Sequence, residues 1–197
     1  YNTMETIVWM AESGDQRKVI EIVQALSRFF RLTLSNGHDI VIVDDEVSCI
    51  ENYLFIQKIR YSDVLEYDVQ VAANTRSLRL PKICLQPLVE NALYHGIKPA
   101  RRRGYIKVDI RIQADRLVLS VVDNGMGMNQ GKLILLRKSI YERKVGEINE
   151  KSNGGFGLAN VHQRIQLRYG NEYGLFINSE QNVGTTVCLF LPIRNED

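Results

Sequence analysis

Cysteine is scarce in this sequence: Cys49, Cys84 and Cys188 are odd in number and lack metal-ligand spacing. They exclude a zinc cage or a disulfide framework and read as reduced, packed thiols in a cytosolic setting. No apolar run approaches the roughly 18 to 20 residues that span a bilayer, and no signal peptide opens the chain, so this stretch is expected to be soluble as it stands. A strongly basic balance is missing too. Lys and Arg total 25 against 23 Asp and Glu, and a net charge of +2 lacks the basic footprint of a nucleic-acid binder. There is no internal repeat and no low-complexity tract, which excludes solenoids and disordered arrays. The remainder is globular in composition, 45% hydrophobic and 24% charged over 197 residues. That length suits one domain, or a domain with an appendage, burying roughly 70% of its unfolded surface.

The periodicity changes near residue 63. Before it, Val19, Ile22, Val23, Leu26 and Phe30 recur at helical spacing. A later helix is expected to start near Asp44, where Asp45 and Glu46 suit the positive end of a first turn. "SNGHD" is a turn between them. Residues 1–62 therefore read as a helical hairpin preceded by a short helix around Met4 to Ala11, with Trp9, Phe29 and Tyr53 as packing residues. After residue 63, Ile106, Val108, Ile110 and Ile112 alternate with polar residues, and "QADR" turns this strand into a second, Leu117 to Asp123. Another hairpin is expected from about Tyr173 to Ser179 and Thr185 to Leu191, with helices at 82–97, roughly 132–142 and 157–169. Helices interspersed with antiparallel hairpins predict an α+β sandwich with helices on one face of the sheet.

"LQPLVENALYHGIK", residues 85–98, carries an apolar stripe of Leu85, Leu88, Val89, Ala92, Leu93 and Gly96 that explains its burial. Asn91 and His95 stand one turn apart on another face, with Glu90 about 100° round from Asn91. Three glycine-bearing stretches follow. "DNGMGM", 123–128, puts the Asp123 carboxylate at a strand end, able to accept from an exocyclic amine, while Gly125 and Gly127 allow close backbone approach. "NGGFGLANVHQRI", 153–165, leads through Gly155 and Gly157 into a helix whose free N–H groups suit phosphate. "GTTVCLFLP", 184–192, opens a strand with two hydroxyls. Taken singly, each reads equally as a turn or hinge.

As an ordered set around one sheet, these four stretches resemble the N, G1, G2 and G3 boxes of the GHKL ATP-binding (Bergerat) fold, which histidine kinases share with Hsp90-type chaperones, MutL-type proteins and type II topoisomerases. The resemblance covers roughly residues 78–193. It implies an α/β sandwich with an antiparallel-rich sheet, ATP and Mg²⁺ as ligands, and no nucleic acid. It also implies nucleotide contacts from Asn91, His95, Lys98, Asp123, Gly125, Gly127, Gly155, Gly157, Leu158 and Thr186. Asn91 corresponds to the metal ligand, Asp123 to the adenine reader and Thr186 to a further adenine-side contact. Glu90 stands as the catalytic candidate, polarising a water or hydroxyl, or else orienting its neighbours. Tyr94 occupies a position that is basic in many relatives, so Lys98 or one of Arg101, Arg102 and Arg103 is expected to supply that charge. Asn153 stands where many relatives have glycine.

"YNTMETIVWMA", "ALSRFFRLTL" and "ENYLFIQKIRYSD" resemble the segments that precede the ATPase in LytS/YesM-type sensor histidine kinases. In that register the phosphoacceptor histidine lies three positions before Tyr1, and His38 and His162 are ordinary surface or semi-buried residues. The resemblance implies a partial dimerisation and histidine-phosphotransfer region at 1–62 and a catalytic domain at 63–197. Its implied partners are a response regulator and a second copy through the N-terminal helices, with membrane contact only through segments outside this chain. A GHKL ATPase that couples hydrolysis to conformational change, and a nucleotide-binding or dimer-forming module without turnover, are the alternatives.

Overall fold

The computed structural model describes residues 2–34, 39–141 and 155–194. Its helical part begins with α1 (Asn2–Glu12) and α2 (Gln16–Leu34), followed by the short strand β1 (Ile40–Ile42) and α3 (Val43–Arg60). The apolar stripe of α2 is wider than the face it buries. Ile22 and Ala25 are sealed against Ile56 of α3, with Leu26, Phe55 and Ile59 around them, whereas Ile20, Val23 and Phe30 are exposed. Phe29 and Tyr53 pack at 6.0 Å between ring centroids, as expected, but Trp9 is 66% exposed and packs nothing shut.

Residues 65–192 build the sheet and its cover. In chain order they are β2 (Leu65–Val71), β3 (Arg79–Pro81), α4 (Leu85–Asn91), a π-helical continuation Ala92–Ile97, and α5 (Lys98–Ala100). Then come β4 (Gly104–Gln113), β5 (Arg116–Asp123), α6 (Gln130–Tyr141), α7 (Phe156–Tyr169), β6 (Gly174–Glu180) and β7 (Gly184–Pro192). The main sheet has the order β2-β4-β5-β7-β6. It is mixed: β2 runs parallel to β4 and the other pairs are antiparallel. A separate ribbon joins β1 to β3.

Strict alternation decides what faces the helices. Ile106, Val108 and Ile110 of β4 lie opposite Asp123, Val121 and Leu119 of β5, which in turn face Thr185, Val187 and Leu189 of β7 and, beyond them, Ser179, Ile177 and Leu175 of β6. Apart from the row at one end, every one of these side chains is apolar and buried. That end row contains Asp123, Thr185 and Ser179, and Ser179 Oγ lies 2.9 Å from Thr185 Oγ1. Against the apolar rows pack Leu88 and Val89 of α4, Leu93 and Ile97 of the π-helical segment, and Leu158, Val161 and Ile165 of α7. Val43, Val47, Ile50 and Leu54 of α3 belong to the same core, so the last helix of the hairpin is continuous with the sheet domain across residues 62–63. Among the described residues no helix is long and apolar enough to cross a membrane.

Candidate functional site

The polar end row opens into a cavity of about 240 Å³ whose walls include Asn91, His95 and Gly96 from the helix after β3, Gly127 and Met128 from the loop after β5, Thr185 from β7, and Gly155 before α7. Lys132, Leu135, Leu136 and Ser139 of α6 close the remaining side. The helix that carries Asn91 and His95 widens into π geometry at Ala92–Ile97, a distortion frequent at functional sites.

Asp123 lies buried directly behind the cavity wall, against Gly96 and paired with Thr185. Only 4% exposed, its Oδ1 accepts from the Gly125 amide at 2.8 Å, and the Thr185 amide donates to the same carboxylate. Burial pushes its carboxyl up to about 6, with those two amides acting in the opposite direction. Close backbone approach makes this placement possible. A Cβ on Gly125 would lie 2.2 Å from the carbonyl carbon of Gly96, and the Met126 amide donates to the Gly96 carbonyl at 3.0 Å. A carboxylate that is buried, held by two amides and set directly behind the wall residues Gly96 and Thr185 is a fixed acceptor for a donor that reaches past them.

The α6 wall is attached at both ends. Asn129 caps it, its Oδ1 accepting from the Lys132 amide at 2.9 Å, and Arg137 donates twice to the Ile177 carbonyl of β6, at 3.0 and 2.6 Å. Leu133 and Ile140 point into the core. On the opposite side Gly155 takes φ +92 as the residue before α7, and a Cβ there would lie 2.8 Å from Leu136. The Gly155 carbonyl accepts the Ala159 amide at 2.8 Å.

Several expected residues lie elsewhere. Glu90 does not line the cavity; its Oε1 accepts from Gln86 one turn earlier, because a rotation of about 100° separates it from Asn91. Lys98 rests its ammonium over the rings of Tyr94 and Tyr61, at 4.7 and 4.9 Å, and among the described residues the cation on the cavity wall is Lys132 instead. Arg102 donates to the Asn124 carbonyl at 3.0 Å, bracing the loop after β5. Thr186 pairs with Val122 on the opposite face of the sheet, and the hydroxyl beside Asp123 belongs to Thr185. Leu158 is core, and Gly157 passes close to Pro87. His95 is on the wall, its pKa lowered by burial and then by the Lys132 charge. His162 is a packing residue: its Nδ1 accepts the Leu175 amide at 3.0 Å and burial lowers its pKa. His38 and Asn153 lie outside the described residues.

The cavity has a mixed polar and apolar wall with the Asp123 acceptor directly behind it, which fits a purine, and a cation, an amide and a glycine approach to a helix N-terminus, which fit phosphates. Among the described residues no group of three or more His, Cys, Asp or Glu is placed to hold a metal ion. The Asn91 amide supplies a neutral oxygen donor on the wall. That donor set fits a magnesium ion held mainly by ligand phosphates and water, which is how Mg²⁺ is commonly bound.

Residues 78–195 match the family described as histidine kinase-, DNA gyrase B- and HSP90-like ATPase. The chain belongs to that ATPase family. Residues 1–65 match the family described as histidine kinase. Sensor histidine kinase YesM of Bacillus subtilis is 32% identical over 197 residues, 100% of this chain and 31% of that protein. Sensor protein kinase HptS of Staphylococcus aureus is 30% identical over 195 residues, 98% of this chain and 36% of that protein. The chain thus spans about a third of the length of these curated relatives. The fold also matches the histidine kinase domain of the Erythrobacter litoralis EL346 blue-light activated kinase, with a TM-score of 0.52 and 16% identity over 93% of this chain and 83% of that one. The catalytic domain of histidine kinase ThkA matches with a TM-score of 0.53 and 17% identity over 78% and 94%.

Proposed function

We infer that this chain is the cytoplasmic catalytic region of a two-component sensor histidine kinase, binding ATP with Mg²⁺ in the cavity above Asp123 and donating the γ-phosphoryl group to a histidine. The observation that carries this reading is a buried carboxylate directly behind the wall residue Gly96, for an exocyclic amine, together with Asn91, Lys132 and Gly155 on the same cavity for phosphates and their metal.

Each residue has a separate task in this reading. Asp123, held by the amides of Gly125 and Thr185, accepts the adenine amino group, and the Thr185 hydroxyl stands beside it. The Asn91 amide oxygen is a ligand to magnesium, which neutralises phosphate charge. Lys132 supplies a cation from α6, and Gly155 lets the backbone before α7 approach the phosphate chain. Phosphoryl transfer needs little covalent help from the protein, so positioning and charge neutralisation supply most of the rate. The acceptor imidazole must lie in line with the leaving oxygen at near-attack distance. His162 is unsuited because it is buried and its Nδ1, accepting the Leu175 amide, leaves the ring proton on Nε2, and His95 is held on the nucleotide helix itself. The acceptor in this reading is the histidine of the family motif that precedes "YNT", the exposed apolar edge of α2 serves a second copy, and the phosphoryl group passes on to an aspartate of a response regulator.

The test uses γ-labelled ATP and a chain extended to include that histidine. Acid-labile labelling that disappears when this one histidine is replaced supports the reading. Stoichiometric labelling of residues 1–197 alone, mapped to His38, His95 or His162, overturns the placement of the acceptor.

A further inference from the structure

The first turn of the nucleotide helix has no cap of its own. Cys84 stands at its N-cap and makes no side-chain capping hydrogen bond. A helix start leaves amide donors that need partners when buried. Here three of them, the amides of Ile83, Cys84 and Leu85, find one group far away in sequence, the carboxylate of Glu46 on α3. Oε1 accepts from the Ile83 amide, and Oε2 accepts from the amides of Cys84 and Leu85, each at 3.0 Å. Glu46 is only 6% exposed. From the other side Arg164 of α7 donates to the Ile83 carbonyl at 3.0 Å and lies 3.3 Å from Cys84 Sγ. Between these two grips Ile83 takes φ +58, a left-handed conformation rare for a β-branched residue and kept only where the surroundings over-determine it.

We propose that Glu46 is a positioning residue for the nucleotide site: with Arg164 it clamps the start of the helix that carries Asn91, His95 and Gly96, and ties that helix to α3. This rests on the reading of the cavity as the nucleotide site. Leu85 to Ile97 is one continuous helical stretch, so an axial slip or rotation at its first turn is passed to Asn91, about 9 Å further along. The far end tolerates no such slip, because a methyl group's worth of space is already absent between Gly96 and Asp123. The burial of Glu46 is costly for a carboxylate and raises its pKa, and three amide donors with the Arg164 charge nearby act in the opposite direction. A glutamine cannot replace it fully. Its single carbonyl oxygen can serve Cys84 and Leu85, but its amide group then faces the Ile83 N–H, donor against donor.

The test is carried out on the 197-residue chain with Mg²⁺·AMP-PNP as probe. Glu46→Gln is expected to lower its affinity at least tenfold. In the nucleotide-free protein, hydrogen exchange should speed at least tenfold at residues 86–97 and stay unchanged in β5 and β7. A merely structural role speeds exchange in the sheet as well, so the local pattern separates the two. Arg164→Met, which keeps an apolar stem and removes the donor, should accelerate the same helical amides by a smaller factor. If Glu46→Gln does not fold, Glu46→Asp and Arg164→Met carry the test, and unchanged exchange at 86–97 in both contradicts the clamp. Affinity within twofold of wild type in a folded Glu46→Gln protein also contradicts it. A wild-type chain that binds no AMP-PNP, while exchange at 86–97 still responds to these substitutions as expected, counts against the nucleotide reading and in favour of the clamp.

Discussion

A Cβ on Gly96 would stand 2.4 Å from Oδ1 of Asp123, closer than any unbonded carbon and oxygen can rest. The helix and the end of β5 therefore meet through a residue without a side chain, and the carboxylate occupies the space a side chain would take. Gly96→Ala is expected to push Asp123 off its two amide donors. The overpacking should cost about 1–3 kcal/mol of stability, and nucleotide affinity should fall at least tenfold. Thermal denaturation and calorimetry check the two effects. A Gly96→Ala protein with unaltered affinity contradicts this contact's role.

The raised pKa of Asp123 has a stability consequence whose sign is fixed. A carboxyl at about 6 in the folded protein, against an ordinary value near 4, stabilises fully below the lower value, and that contribution is lost as pH rises through the higher one. The gap corresponds to roughly 2–3 kcal/mol at most. Asp123→Asn should therefore raise Tm relative to wild type at pH 8 and lose that advantage at pH 4, while weakening nucleotide binding at pH 7.5. An equal Tm difference at both pH values contradicts the assignment.

Two lysines near the helix should behave differently. Lys132→Met is expected to weaken ATP binding several-fold, in a salt-dependent way, and adenosine binding little. It should also raise the His95 pKa, since the Lys132 charge is one of the two causes holding it down. Lys98→Met, which removes only an ammonium stacked on Tyr94 and Tyr61, should leave affinity within twofold. Titration of the His95 ring by NMR and calorimetry of both variants decide the matter. Equal losses from both substitutions contradict the cavity wall described above.

Much of this was legible in the sequence for identifiable reasons. Ile106, Val108 and Ile110 alternate because one face of β4 is core and the other is open, and the stripe from Leu85 to Leu93 follows the same logic on a helix. The edge strand β2 was open to the same reading, Leu65, Tyr67, Val69 and Val71 alternating with Glu66, Asp68 and Gln70, but its parallel pairing with β4 was not legible in any local pattern. Nor were β1 and β3, at three residues each. Thr186 against Thr185 was a question of register: adjacent residues in a strand point to opposite faces, and only the pairing of Thr185 with Asp123 decides between them. The α6 wall was readable as a helix through Leu133, Leu136 and Ile140, but its other edge, with Lys132 and Ser139, looks like any solvated face until the cavity beside it is known. Glu46 gave no signal beyond a helix-start carboxylate, because its three partners lie 37 to 39 residues away.

Calorimetric titration of the chain with AMP-PNP, with and without Mg²⁺, tests the central claim most directly. The wild type should bind, and more tightly with the metal. Asn91→Ala should remove the metal-dependent part, and Asp123→Ala should weaken binding by at least tenfold in both conditions. Folded variants that both bind AMP-PNP as the wild type does would contradict the nucleotide site.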